Sequence, residues 1–310
     1  ATDRVQITSA RDGSRHTLTL GSPVVTAQFN SGGSLLAVGT LAGRIHLFNT
    51  ATGRPAADPL PQDGAPGASF LGDSQLLLTF GAKSSNVVVW DWRQGTVVRR
   101  MPPPPAILNF CILGPDSRRC IVGGNSWCQV WDALDGRILA GPIRSEADWE
   151  SGGWHPGGEI AALGVVGGRI EFRETDALAL AGPVLQDVGE TRLPTFSTDG
   201  ASLVAGGNNR PTPLWDWIRG VRLTEPALPF RGAMRIRYLP DGTCLYSTRT
   251  GSRIGDARHG QKRAFDLLDA RGAAGAFDHE FESVISLGVT AHERRQVRRR
   301  RLIGDWRRQA

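Results

Sequence analysis

Cys111, Cys120 and Cys128 come nearest to reactive chemistry, because thiolates at such intervals can ligate zinc or form a redox couple. With tight turns near residues 115 and 124, the spacing predicts one thiol on each of three successive strands, in a row on one sheet face. No histidine accompanies them at ligand spacing, so their expected role is to fill space between sheets. The six histidines, at 16, 46, 155, 259, 279 and 292, form no i, i+4 pair. The chain has no GxSxG elbow, HExxH helix, GxxxxGK(S/T) loop or Gly-rich dinucleotide fingerprint. Recognition rather than catalysis is the expected chemistry, with no cofactor.

Of 310 residues, 40% are apolar, enough for a buried core; 39 glycines and 19 prolines suit many short strands and tight turns better than helices. The formal net charge of +6 belongs to the end of the chain. Residues 292–310 hold eight arginines against Glu293 and Asp305, which leaves residues 1–291 neutral overall. Within that tail, Arg294, Arg295, Arg298, Arg299, Arg300 and Arg301 are candidate contacts for the phosphates of a nucleic acid or for an anionic surface; solvated disorder is the alternative. Four cysteines without a CxxC predict reduced thiols in a cytoplasmic protein. No stretch approaches the ~18 apolar residues of a membrane span. The opening ATDRVQITSA lacks signal-peptide character, and the missing initiator Met predicts a processed chain or a fragment. Of the 36 basic residues only Lys83 and Lys262 are lysines, which fits a high-GC bacterial coding bias.

Elements must hold any binding residues in place, and the tryptophans disclose their repeat. VVVWDW at 87–92 returns as PLWDW at 213–217, with Trp131-Asp132 between them. A step of about 42 residues, the length of one four-stranded propeller blade, carries the pattern to weaker anchors at Thr8, Phe48, Phe172 and Gly255. A second series, Phe29, Phe70, Leu113, Trp154, Phe196 and Tyr238, precedes polar turns at the same period. Each unit reads as strand, Pro/Asp/Gly turn, strand, short loop, strand ending in Trp-Asp, Gly turn and fourth strand. With Trp90-Asp91, Trp131-Asp132 and Trp215-Asp216, and the turns Pro115-Asp116-Ser117, Thr198-Asp199-Gly200 and Pro240-Asp241-Gly242, the chain resembles the WD-repeat β-propellers over roughly residues 1–268. The family's Gly-His pair and loop Asp are missing here. The hydrogen-bonded Asp-His-Ser/Thr-Trp network they support is therefore expected to be absent.

The resemblance implies an all-β propeller of four-stranded blades, seven or alternatively six. The ring closes by placing N- and C-terminal strands in one blade, the latter from around Phe281 to Val289 and Gln296 to Ile303. Residues 1–291 would be the propeller and 292–310 an Arg-rich tail. Trp90, Trp131 and Trp215 would pack between blades, and Trp92 and Trp217 would cover blade edges. Loops joining second to third strands, and fourth strands to the next blade, open on one end. Trp127 and Trp149 are expected in those loops as exposed aromatics. With Lys83, Asn208, Arg210, Arg231 and Arg249 they form the candidate partner-binding set, rimmed by Asn125, Asn209, Glu146, Asp148 and Glu150. MPPPPA at 101–106 reads as a stiff polyproline II crossing that an SH3- or WW-type domain could also bind. The implied function is a protein–protein interaction scaffold or sensor module, part of a bacterial signalling assembly or attached to another domain of a parent chain. The alternatives are nucleic-acid binding through the tail and a propeller enzyme with a central-channel site.

Overall fold

A computed structural model describes residues 3–9, 14–72, 74–82, 84–189, 194–205, 211–231, 235–238, 243–248, 251–256, 265–268, 275–277 and 283–286. All regular structure among them is β, and none of it is a helix long and apolar enough to cross a membrane. The chain opens with β1 (Arg4–Ser9) and β2 (Arg15–Thr19). A complete unit follows: β3 (Val24–Phe29), β4 (Leu35–Thr40), β5 (Arg44–Asn49) and β6 (Pro55–Pro61). The next comprises β7 (Ala65–Phe70), β8 (Leu76–Ala82), β9 (Val87–Asp91) and β10 (Thr96–Arg100). The third comprises β11 (Leu108–Leu113), β12 (Arg119–Gly124), β13 (Trp127–Asp132) and β14 (Ile138–Arg144). Three strands come next, β15 (Trp149–Trp154), β16 (Ile160–Val165) and β17 (Arg169–Glu174). Then come β18 (Thr195–Phe196), β19 (Leu203–Val204), β20 (Pro211–Asp216) and β21 (Val221–Arg231), followed by β22 (Arg235–Tyr238), β23 (Thr243–Thr248), β24 (Gly251–Asp256) and β25 (Phe265–Leu268). The last pair is β26 (Gly275–Phe277) and β27 (Ser283–Ser286).

Every described pairing is antiparallel, and the strands form separate sheets in chain order. Both landmark series fall at strand ends. The six first-strand landmarks are the last residues of β3, β7, β11, β15, β18 and β22. Thr8, Phe48, Trp90, Trp131, Trp215 and Gly255 are the penultimate residues of third strands. The anchor at Phe172 is the exception, since β17 ends at Glu174 and the equivalent residue is Arg173.

Local chemistry explains why Trp-Asp ends a strand. Asp91 Oδ1 accepts the backbone N–H groups of Arg93 and Gln94, both at 3.0 Å, and Asp132 Oδ1 those of Leu134 and Asp135, both at 2.9 Å. These Asp-capped turns stop the ladder. Gly95, Gly136 and Gly220 then adopt φ of 67°, 70° and 70°, a left-handed conformation that glycine takes without a Cβ clash.

The inner strands of the β3–β6, β7–β10, β11–β14 and β15–β17 sheets are apolar on both faces, because each of these sheets packs between two others. Val5, Ile7 and Leu18 pack with Val24, Phe29, Leu36 and Val38; on the other face of that second sheet, Ala37, Ile45 and Leu47 pack with Phe70, Leu77, Val88 and Trp90. Three further interfaces continue the stack from the β7–β10 sheet to the β18–β21 sheet. Such sheets are individually too wet to persist and become stable by sheltering one another. Trp90, Trp131 and Trp215 are buried in these interfaces, as their period predicts, and Trp92 and Trp217 are buried beside them.

Four expectations are corrected by the structure. The thiols do not form one row: Cys111 and Cys120 share the interface with the preceding sheet, whereas Cys128 faces the following one. The cause is register, which sets Cys111 opposite Val122 and Cys128 opposite Gly123. In the β7–β10 sheet the Thr-Trp part of the family's network is nevertheless present, without its Asp and His. There Trp90 Nε1 donates to Thr79 Oγ1 at 2.9 Å, and Thr79 donates to Gln62 Oε1 at 2.6 Å. Gln62, from the connector before β7, supplies the acceptor that an absent histidine would otherwise provide. Of the C-terminal strands, Ser283–Ser286 lies within the expected 281–289 and pairs with β1 from Gln6↔Ser286 to Ser9↔Ser283, but its neighbour is Gly275–Phe277, ahead of the expected segment; residues 296–303 lie outside the described residues. Finally, the β15–β17 sheet has three strands. A fourth is reduced to the bridges Ile170↔Leu185 and Arg173↔Leu180, with Pro183 between them interrupting the ladder.

Candidate functional site: the loop end

The connections from second to third strand and from fourth strand to the next sheet are joined by backbone hydrogen bonds at one end of the stack. Leu41 N–H donates to Pro23 O, Gln62 to Gly43 O, Leu108 to Ser84 O, Ser145 to Ser126 O, and Val166 to Asp148 O, at 2.8 to 3.2 Å. Antiparallel alternation requires this, because strands two and four both finish where strands one and three begin. Side chains tie adjacent sheets together there. Gln62 Nε2 donates to Asn86 O at 3.3 Å, Asn86 Nδ2 to Asp63 Oδ2 at 2.6 Å, and Asn109 Nδ2 to Trp149 O at 3.1 Å. The end is therefore a fixed platform rather than a set of independent loops.

The expected aromatic anchors are not on its surface. Trp127 and Trp149 are the first residues of β13 and β15, and both are 0% exposed. Trp127 packs with Leu108 and Trp131, and Trp149 with Phe110 and Val165. Each indole is the first rung of a two-faced strand, so the adjoining sheet covers it. Lys83, Asn208, Arg210 and Arg249 lie outside the described residues, as do Arg294, Arg295, Arg298, Arg299, Arg300 and Arg301. Arg231 closes β21 by its backbone. Of the polar rim, Asn125, Glu146 and Glu150 are exposed and Asp148 is half-buried, accepting from Ser126 Oγ at 3.2 Å.

Three exposed aliphatic side chains stand at this end instead: Leu41 (55%), Val166 (45%) and Ile107 (49%). Leu41 and Val166 begin second-to-third-strand turns, and Ile107 ends the proline connector. A large apolar residue where a turn ordinarily takes a polar one was the available sequence signal, in LAG and VGG. Pro103 and Pro105 of the connector are exposed, while Met101 is buried as its anchor.

The thiols are built for packing. The hydrogen bond with Cys120, together with burial, pushes the Cys111 thiol well above its ordinary value. Burial dominates at Cys128 and raises it to about 12, with Arg173 opposing. Arg173 occupies the place of the repeat's tryptophan, and its Nη2 pairs with Glu171 Oε2 at 2.7 Å, two residues back. Trp131 Nε1 reaches Gln129 Oε1, also two residues back, at 3.0 Å. Among the described residues, no group of three His, Cys, Asp or Glu side chains is placed to hold a metal.

No family model matches the chain. It is similar to a mammalian protein. Telomerase protein component 1 of Mus musculus is 27% identical over 210 residues, 66% of this chain and 8% of that protein. Its counterpart in Rattus norvegicus is 26% identical over 229 residues, 73% of this chain and 8% of that protein. The chain thus spans less than a tenth of the curated relatives it matches, and neither of these is bacterial. Together with the repeated four-stranded antiparallel sheets, the similarity fits a WD-repeat-like propeller.

Proposed function

We propose that this protein is an interaction scaffold: a seven-bladed WD-repeat-like propeller, formed by residues 1–291, whose loop end holds a protein partner or another domain of its own parent chain. The observation that carries this reading is the exposure of Leu41, Ile107 and Val166 on an end whose loops are cross-bonded between sheets. A pre-ordered apolar set with a polar rim binds with little loss of conformational freedom. The pairing of β1 with β27 supports closure of the ring through a shared blade. Arg210, Arg231 and Arg249 remain the proposed cationic part of this end, and residues 292–310 a tail separate from it. Signalling and a cytoplasmic location stay part of the proposal.

The test is affinity capture from native lysate with the full chain and with a Leu41→Asp, Ile107→Asp, Val166→Asp variant whose tryptophan fluorescence matches the parent. The variant is expected to lose the partners that the parent retains. Equal capture by both would remove the loop end from consideration. A chain ending at Glu293 is expected to capture as well as the full one, and failure there would shift the site to the tail.

A further inference from the structure

Each outer strand of a four-stranded sheet leaves one row of backbone N–H and C=O groups unpaired, a template for any extended chain that can reach it. Proline blunts such an edge by removing a donor. β6 contains Pro55, Pro59 and Pro61, β14 contains Pro142, β21 contains Pro226 and Pro229, and the segment flanking β17 contains Pro183. β2 has no proline, but its Leu18 is buried and its His16 ring nitrogen is bonded to Ala51 O of the next sheet at 2.9 Å. β10, with the sequence TVVRR, contains no proline; its tie to the next sheet is the Arg99 side chain, and all five of its residues are exposed.

Its charge is as unusual as its exposure. Arg99 and Arg100 have no ion pair among the described residues; Arg93, at the turn leading into the strand, also has none and lies over the Trp92 ring at 5.1 Å. Around the adjoining turn of the next sheet the acids are already engaged: Arg118 pairs with Asp132 and Asp135, and Arg137 with Asp135. Arg99 Nε donates to Leu134 O of that turn at 2.8 Å, so the strand and the turn form one continuous surface. Val97, Val98, Leu134, Ile138 and Leu139 are its exposed apolar side chains.

We propose that β10 is a docking edge for an extended acidic segment of a partner protein, which adds as a fifth strand to the β7–β10 sheet. Backbone hydrogen bonds supply the pairing, apolar side chains on one face of the added strand meet Val97, and carboxylates on its other face meet Arg99. A second copy of this chain is the poorer occupant, because antiparallel pairing of two β10 strands brings four arginines to one seam. This edge is separate from the loop end, and either site can fail without the other.

The test uses a fluorescently labelled peptide of about seven residues, the length of an ordinary strand, alternating Val and Glu, with a Val/Gln peptide as control. Binding to the full chain is read by fluorescence anisotropy. The Glu peptide is expected to bind, and the Gln peptide to bind roughly tenfold more weakly, with the difference lost at about 0.5 M salt. Arg99→Glu with Arg100→Glu is expected to reverse the preference. Val98→Pro is expected to abolish binding while leaving the sheet intact, since the register with β9 passes from Val97↔Trp90 to Arg99↔Val89 and skips Val98. The loop-end triple variant is expected to bind the peptide as the parent does. Unchanged binding by Val98→Pro, equal affinity for the two peptides, or sedimentation as a dimer that the charge reversal disperses would each overturn the proposal. Should the proline variant fail to fold, the charge-reversed variant alone decides.

Discussion

Thr79 shows how much rests on one hydroxyl. It accepts from Trp90 and donates to Gln62, both buried. Thr79→Val keeps the shape but leaves an indole N–H and an amide oxygen unsatisfied, at an expected cost of about 1–3 kcal/mol. A lower urea midpoint with unchanged slope checks it. The thiols give a pH prediction. Folding raises the Cys111 and Cys128 values, so the native state holds those protons more tightly than the unfolded chain. The associated stability is fully present below the ordinary thiol value of 9.0 and is lost as pH rises toward about 12, where Cys128 ionises in the folded state. Urea midpoints are therefore expected to hold near neutral pH and fall above pH 9, less steeply in Cys128→Ala. A midpoint indifferent to alkali would contradict the burial of these groups.

At the scale of elements, connectors and turns hold the sheets at fixed separations. A Cβ on Gly124, the last residue of β12, would run into the Ile107 carbonyl oxygen and lie 2.9 Å from Trp127 Nε1. The Ile107 connector crosses that closely, so Gly124→Ala displaces backbone and is expected to destabilise by about 1–3 kcal/mol. It should also alter the fluorescence of the adjacent tryptophans; an unshifted melt would show that the connector gives way freely. Between sheets, Trp154 Nε1 donates to Ile112 O at 3.0 Å, and Arg119 lies over the same ring at 5.5 Å. Trp154→Leu removes both links and should lower the thermal midpoint more than Trp154→Phe, which keeps a ring for the cation. Equal effects would assign the role to the hydrogen bond alone.

For the whole molecule, the informative pairing is between the first strand and the last. β1 has β2 on one side and β27 on the other, and its Val5 and Ile7 are buried. A chain ending at Leu268 lacks β26 and β27, which strips β1 of a neighbour and uncovers apolar surface. It is expected to unfold at lower urea and to bind hydrophobic dye, whereas a chain ending at Thr290 keeps both strands and should match the parent. Equal stability of the two truncations would argue that the terminal sheet is dispensable and would weaken the proposed ring.

The period, the strand endings and the turn chemistry were legible without coordinates, because Asp after Trp and Gly soon after act within a few residues. The slip at Phe172 is instructive. Arg173, itself half-buried, holds the repeat position through an ion pair with the buried Glu171, and no apolar pattern marks an arginine there. Trp127 and Trp149 were legible as unusual but not as buried, since what covers them comes from neighbouring sheets distant in sequence. Only the tertiary structure decided that Leu41, Ile107 and Val166 reach solvent at the loop end, that β10 is an edge strand without proline, and which residues of the C-terminal region lie beside β1. Burial and edge pairing belong to contacts between separate segments, which local composition does not encode.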